Sequence, residues 1–370
     1  MDVNFGRSAP FSLGVEEEFQ LVNGESYELT SRFDEVLAAA GGDRRIKAEL
    51  LQSTAEVATD VSRTVAEAIE HAHDLRRLVR DAAAEHGVRI ASAGTHPFSR
   101  YQHQDVTEQD RYRELIEAMQ WVAERELIFG LHVHVGMASG DEAIAVANAL
   151  RTWLPELLAL SANSPFWHGR DTGLASARSK VFDAFPRSGL PPAFASFEEF
   201  ELLIERGIRT NSFEDYTYIW WDLRPHPQLG TIEVRVCDSQ TRLESVAGIV
   251  ALVQSLAATA AERYAREGAL PIEPITLIAE NKWRAARYGL GAELIDLELD
   301  AERPADEAVR ALVELAEPAA RRLGCAGELA EVEGILGRGT GADEQRAVHE
   351  RSGSLLAVAQ WLADETVARL

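Results

Sequence analysis

Glu16-x-Glu18, His132-x-His134 and Glu233-x-Arg235 set acidic, imidazole and guanidinium side chains at the two-residue spacing of a strand, and Glu49-x6-Glu56 adds a further acid pair. A row of carboxylates and imidazoles turned to one side is costly to desolvate unless a cation sits among them. Divalent metal ions holding a polyphosphate suit such a set. That chemistry points to an ATP-dependent ligase or phosphotransferase. The chain has no GxxxxGK(S/T) stretch, so the phosphates are not held by a P-loop, and no GxGxxG follows a strand.

Each pair has a plainer reading. Glu16 and Glu18 share one face of a strand, roughly 7 Å apart, while Glu17 points the other way with Val15 and Phe19, to the apolar side or near an edge. On an exposed face the pair would be ordinary solubility, but this strand is otherwise hydrophobic. Glu49 and Glu56 would share one side of a helix; in extended chain they face opposite ways unless a turn intervenes, so by themselves they read as a solvated face. His132 and His134 alternate with Val133 and Val135, which turns both imidazoles one way and the valines to the core. A lone strand histidine is usually structural; two on one face suit ligation or phosphate contact. Glu233 beside Arg235 reads either as a salt bridge or as a metal ligand next to a phosphoryl-binding arginine.

The elements that carry these groups follow from periodicity and end signals. Residues 11–22 read as a strand. Residues 64–86 read as a helix with an apolar stripe of Val65, Ile69, Ala72, Leu75 and Val79, started by Thr64 and Glu67 and ended by Gly87. Residues 88–93 form a short strand, 110–127 a helix, and 128–137 the strand with both histidines. Ser139 and Glu142 open a helix to about Ser161. A polar loop from 162 to about 195 holds Arg170, Arg178, Lys180 and Arg187, and loops of that length inside a domain are often functional. Ser196 and Glu199 open a helix to Arg206. Residues 216–223 and 230–237 read as strands paired across the turn Arg224-Pro225-His226-Pro227. Beyond Arg242 the chain is mostly helical. Candidate residues from 16 to 235 must converge, so residues 1–370 are expected to form a single antiparallel-rich α+β domain, with the helical stretch from about 300 to 370 as one of its layers.

Composition narrows the partners. Hydrophobic residues make up 46% of the 370, enough for a sizeable core, and the formal charge of −23 argues against nucleic acid or an anionic membrane as a partner. Only three lysines occur, Lys47, Lys180 and Lys282. Two cysteines, Cys237 and Cys325, lack zinc-site spacing and fit a reducing, cytoplasmic setting. The start lacks a signal-peptide pattern, and no uninterrupted apolar stretch approaches a membrane span. A homodimer is expected from how common two-fold dimers are among soluble enzymes.

Several blocks then resemble a known family. LGVEEEFQLV, ELLQSTAEVAT, AGTHPF, GLHVHVG, LSANSPFWHGRDTGLASAR, RPHP, GTIEVRVCD and ENKWRAARYGL run in order from residue 12 to about 290, and GRGTGADEQR follows near the C-terminus. They look like the signature blocks of the bacterial carboxylate–amine ligases, the type 2 glutamate–cysteine ligase-like proteins. The resemblance implies a glutamine synthetase-like fold, in which a curved antiparallel sheet cradles metal and ATP and helices pack outside. It implies that Glu16, Glu18, Glu49, Glu56, His132 and Glu233 bind two or three Mg²⁺ or Mn²⁺ ions. His134 would face nucleotide or substrate, and Arg235 would contact the transferred phosphoryl group. Arg170, Arg178, Arg224, Lys282 and Arg284 lie in signature blocks and are carried over as ATP- or substrate-binding. Phe129 stands where a smaller or different residue is expected, a departure that bears on the pocket wall and not on the ligands. The implied reaction activates a carboxylate, most plausibly the glutamate side chain, as an acyl phosphate and joins it to an amine such as cysteine. A metal-dependent amidase, a guanidino-type phosphotransferase and a protein-modifying ligase are the competing readings. The expected partners are small amino-acid substrates.

Overall fold

Seven strands build one sheet in the computed structural model, which describes residues 2–370. They are β1 (Leu13–Asn23), β2 (Ile46–Ala48), β3 (Thr54–Ala58), β4 (Val88–Ala91), β5 (Gly130–Gly136), β6 (Leu223–His226) and β7 (Thr231–Asp238). The order is β6-β7-β5-β1-β3-β2, with β4 pairing the end of β1, and every pairing is antiparallel. The expected α+β architecture with a mainly antiparallel sheet is what forms.

One face of the sheet is apolar because alternate residues point the same way. Val15, Val133, Val135, Ile232 and Val234 enter one buried cluster, and Phe19, Leu21, Ala55 and Val57 enter a second. Three helices cover that face: α1 (Val65–Ala84), α2 (Gly140–Ser161) and α4 (Leu243–Glu267). Between α2 and α4 lies the short α3 (Ala177–Phe182), and beyond α4 come α5 (Ile275–Tyr288) and α6 (Ala305–Leu323), the last packed along α4. Thr64 caps α1 and Ser139 caps α2, each accepting from the backbone N–H three residues on. Two helices, α2 and α4, are long and apolar enough to cross a membrane by length and composition. Their most apolar windows are 78% and 83% buried inside the protein, where the sheet and neighbouring helices cover them.

Glu17 lies on the apolar face and is only 1% exposed. Arg76 of α1, fully buried, answers it. Its guanidinium donates to both Glu17 carboxylate oxygens and to the carbonyls of Gln240 and Thr241 at 2.8 and 2.9 Å. One residue's change of parity thus separates a structural ion pair from the carboxylates on the other face.

Three elements differ from expectation. The helix expected over 110–127 breaks into Asp110–Met119 and Trp121–Glu124, because Gln120 takes φ 50°. The long polar loop is interrupted by α3, which carries Arg178. Arg224-Pro225-His226 is not a turn but β6 itself; residues 216–218 form a 3₁₀ turn, and the reversal falls at 227–230. Proline is tolerated there because β6 is the sheet's edge strand and needs no outward N–H. Gly230 closes the turn at φ 70°, and a Cβ at this position would sit 2.4 Å from the Asn4 carbonyl. Arg224 therefore leaves the turn and stands in the sheet.

Candidate active site

Direct cross-strand partners share a face. The register therefore builds the site row by row. Lys47 lies opposite Glu56, and Glu56 opposite Glu18; Glu16 lies opposite His132; His134 lies opposite Glu233, and Glu233 opposite Arg224. All these side chains come to the sheet face away from the apolar helices. Glu49 joins them because it follows β2 directly, and the turn to β3 reverses the chain before Glu56. That turn resolves the ambiguity of their seven-residue spacing.

Two groups of potential ligand atoms result, each with its atoms within 4.8 Å of one another: Glu16, His134 and Glu233; and Glu18, Glu49 and Glu56. His132 lies between them, with Nδ1 3.3 Å from Glu16 Oε2 and Nε2 3.9 Å from Glu18 Oε1. The expected division of labour, His132 on metal and His134 on nucleotide, differs from this grouping, which puts His134 beside Glu16 and Glu233. Thr231 Oγ1, 3.0 Å from His134 Nδ1, leaves Nε2 directed at the acids. The Nε2 atoms of both histidines are buried without a hydrogen-bond partner.

The charges explain the electrostatics. Burial pushes Glu18 up to about 7 against the pull of Arg178. Burial raises Glu49 as well, helped by Glu18; it raises Glu56 far above the usual carboxylate range, helped by Glu16 and Glu49. Burial also opposes ionisation of Glu16 and Glu233, yet both stay well below the ordinary range. The hydrogen bond with His132 and the nearby His134 do this for Glu16, and the charges of Arg224 and Arg235 do it for Glu233. Burial, reinforced by Arg235, presses His132 down to about 4, a neutral imidazole suited to ligation. Lys47 is the ammonium that reaches across the two groups, 3.3 Å from Glu16 and 2.9 Å from Glu56.

The residues fit a divalent cation. Glu18, Glu49 and Glu56 face one another with proton affinity raised despite Lys47 and Arg178, so they call for more positive charge, and the unpartnered imidazole nitrogens are natural ligand atoms. A testable consequence follows. Carboxyls whose folded pKa is raised hold more protons in the metal-free fold than in the unfolded chain. Their contribution to metal-free stability should therefore fall as pH rises from the ordinary carboxylate range through about 7, opposed by that of His132, held down to about 4. Mg²⁺ or Mn²⁺ must displace those protons, so binding should tighten over the same window and release protons within it. Titration calorimetry in two buffers of different ionisation enthalpy would measure this; pH-independent binding with no proton release would refute it.

These groups line a cleft of about 420 Å³ that takes in Glu16, Glu18, Glu49, Glu56, His132, Arg178, Arg224 and Arg235. A second cleft of about 330 Å³ lies past Glu16 and Lys47, and His134 and Thr231 line it. Glu233 is 1% exposed and sits behind Arg224 and Arg235, whose guanidinium groups donate to its two oxygens. Between Val234 and Cys237 the β7–β5 register shifts, and this bulge falls at Arg235. Bulges re-aim side chains, and this one accompanies Arg235 into the cleft. Gly130 leaves room for Arg178, since a Cβ there would lie 2.4 Å from its Nη2.

Four residues lie away from the clefts. Arg170 is exposed on a two-residue strand and lines neither cleft, because its short hairpin with Trp167 projects to the surface. Arg284 is engaged by Glu280 and Glu302 on the surface, at 2.9 and 2.8 Å. Lys282 is buried between Asp183 and Asp222, at 3.0 and 2.7 Å, and lines neither cleft. Phe129 is fully buried in the core cluster with Ala93 and Leu127, so it is no part of the cleft wall.

Sequence reasoning gave no role to Lys47, whose two-residue spacing from Glu49 was the available signal. It also passed over Arg111, Tyr112 and Glu126, which line the cleft from segments with no alternating pattern, and His226, which follows Arg224 by two residues on β6. Burial pushes Glu126 up to about 8.

The sequence model described as glutamate-cysteine ligase family 2 matches residues 12–365. The chain belongs to that family. A chain of Rubrobacter xylanophilus named "Putative glutamate--cysteine ligase 2-3" is 48% identical over 373 residues, covering 99% of this chain and 100% of its own. A relative from Herpetosiphon aurantiacus, "Putative glutamate--cysteine ligase 2", is 41% identical over 360 residues, covering 97% of this chain and 94% of its own. The solved glutamate–cysteine ligase of Francisella tularensis in complex with AMP superposes with TM-score 0.69 at 13% identity, covering 98% of this chain and 90% of that one. A bifunctional glutathione synthetase from Pasteurella multocida gives TM-score 0.70 at 14% identity, covering 97% of this chain and 52% of that one. At those identities the two structures speak for the fold. As a member of glutamate–cysteine ligase family 2, the protein is an ATP-dependent ligase.

Proposed function

We propose that the protein joins the side-chain carboxylate of glutamate to an amine, cysteine being the first candidate, through an acyl phosphate. The observation that carries this reading is the convergence of Glu16, Glu18, Glu49, Glu56, His132, His134 and Glu233 on one face of the sheet, with Arg178, Arg224 and Arg235 at the same place. Glu18, Glu49 and Glu56 would hold one Mg²⁺ or Mn²⁺, and Glu16, His134 and Glu233 a second, with His132 between them. Bound there, the ions supply positive charge to the polyphosphate and to the leaving diphosphate.

A donor carboxylate oxygen attacks the γ-phosphorus; the bond from that phosphorus to the β–γ bridging oxygen breaks and ADP leaves. The amine nitrogen then attacks the acyl carbon, the carbon–oxygen bond to phosphate breaks, and phosphate departs as the nitrogen loses its proton. The chain's own work is placement and charge cancellation, which dominate phosphoryl transfer. Arg235 offers its guanidinium to the oxygens of the moving phosphoryl group. Arg224 shares Glu233 with Arg235 and keeps that carboxylate ionised. A setting inside the cell, where ATP is supplied, fits this reaction.

Purified protein given ATP, Mg²⁺, glutamate and a panel of amines should release ADP and phosphate only when both organic substrates are present, with the amide detected by mass spectrometry. ATP-independent amide cleavage would favour the hydrolase reading, and a stable phosphorylated guanidino product the phosphotransferase.

A further inference from the structure

Arg235 sits where its strand stops pairing regularly. Register is kept at Glu233–His134 and Val234–Val133 and resumes only at Cys237–Leu131. Other segments take over the hydrogen bonds of the peptide units around it. The Arg235 N–H donates to the Asp222 carbonyl at 2.8 Å, and Arg178 Nη1 donates to the Arg235 carbonyl at 3.2 Å. Both supporting segments lead to one buried ammonium. Lys282 of α5, 4% exposed, has its Nζ 2.7 Å from Asp222 Oδ2 and 3.0 Å from Asp183 Oδ1. Asp222 is the residue whose carbonyl holds the Arg235 N–H. Asp183 follows α3 directly, and its N–H bonds to the carbonyls of Ser179 and Val181 in the helix that carries Arg178.

We propose that Lys282 is a positioning residue for Arg235, joining the two segments that hold the Arg235 bulge and so fixing the direction of its guanidinium. The lysine touches neither cleft, so it acts through the residues it holds: Arg235 by way of Asp222 and, by way of Asp183, the helix that carries Arg178. The proposal rests on the reading above, in which Arg235 faces the transferred phosphoryl group. A buried ammonium between two carboxylates suits this task. Backbone pairing of Ser188–Gly189 with Trp220–Trp221 also joins these segments, but only the lysine ties the two aspartates, and removing it leaves Asp222 unpaired in a buried place.

The test is a double-mutant cycle on the purified full chain with Lys282→Met and Arg235→Lys, following kcat and Mg·ATP affinity, with kcat normalised to the folded fraction. Lys282→Met should lower kcat by on the order of 10²-fold, since a displacement of about 1 Å of a reacting-centre group has that effect. ATP affinity should change by no more than about threefold. In the Arg235→Lys background the same substitution should cost little more, because coupled residues are non-additive. Lys282→Arg should restore most of the loss. Equal fold-losses in both backgrounds, or an unchanged kcat per folded molecule, would overturn the proposal. Should Lys282→Met not fold, Asp222→Asn takes its place in the cycle with the same expectations. A crystal structure of either variant that keeps the Arg235–Asp222 and Arg178–Arg235 bonds and the guanidinium in place would also overturn it, whether or not turnover is seen. Wild-type protein that releases no ADP with any amine would sink the ligation reading instead.

Discussion

Glu16→Gln and Glu233→Gln proteins are expected to lose ADP release by on the order of 10³-fold or more, about 4 kcal/mol of barrier. Both substitutions keep shape and remove a full negative charge from the group formed with His134. They should differ in stability. Glu16 is partly open to solvent, and its partner Lys47 keeps Glu56 at 2.9 Å. Its loss should fall almost wholly on metal and nucleotide affinity and on kcat. Glu233 is buried and answers two guanidinium groups. Glu233→Gln strands those cations, so it should also unfold at lower denaturant, by about 3–5 kcal/mol of stability. Coupled ADP detection and urea melts on the same preparations separate the two effects. Undiminished turnover in both variants would end the assignment of these carboxylates to metal and phosphate.

The second large effect concerns stability alone. Arg76→Met and Glu17→Gln should each destabilise the fold by about 3–5 kcal/mol, since each leaves a buried partner charge uncompensated. Arg76 is the more severe case, because its guanidinium also satisfies the backbone carbonyls of Gln240, Thr241 and Thr366, the last at 3.3 Å. The double variant Glu17→Leu/Arg76→Met should recover part of the loss. Turnover per folded molecule should hold near wild type, because this pair lies on the far face of β1 from the clefts. Chemical denaturation with active-site titration would check it; a kcat loss exceeding the loss of folded protein would show that the two faces of β1 are not separable.

That separation was legible before any coordinates. The period-2 alternation of Val15-Glu16-Glu17-Glu18-Phe19 and of His132-Val133-His134-Val135 assigned each side chain to a face, because a strand has two faces and burial chooses between them. The helix caps at Thr64, Ser139 and Ser196 were equally readable, since a hydroxyl accepting from an N–H three residues on is a local event. The glycine- and proline-containing segments were harder. Arg224-Pro225-His226-Pro227 has turn composition, yet it forms an edge strand. Whether a proline's missing N–H faces water or a neighbouring strand depends on sheet order, and sheet order is not local.

The sequence by itself determined the donor inventory, its partition between the two faces of β1 and β5, and membership of the ligase family. Tertiary structure alone decided which groups meet. It turned Glu49 round a hairpin onto Glu18 and Glu56, put Arg224 opposite Glu233, and grouped His134 with Glu16. It also sent Arg170 and Arg284 to the surface and enclosed Lys282 between two aspartates. Alternation along one strand follows from covalent geometry, whereas register between strands far apart in the chain is set by the packing of the whole sheet.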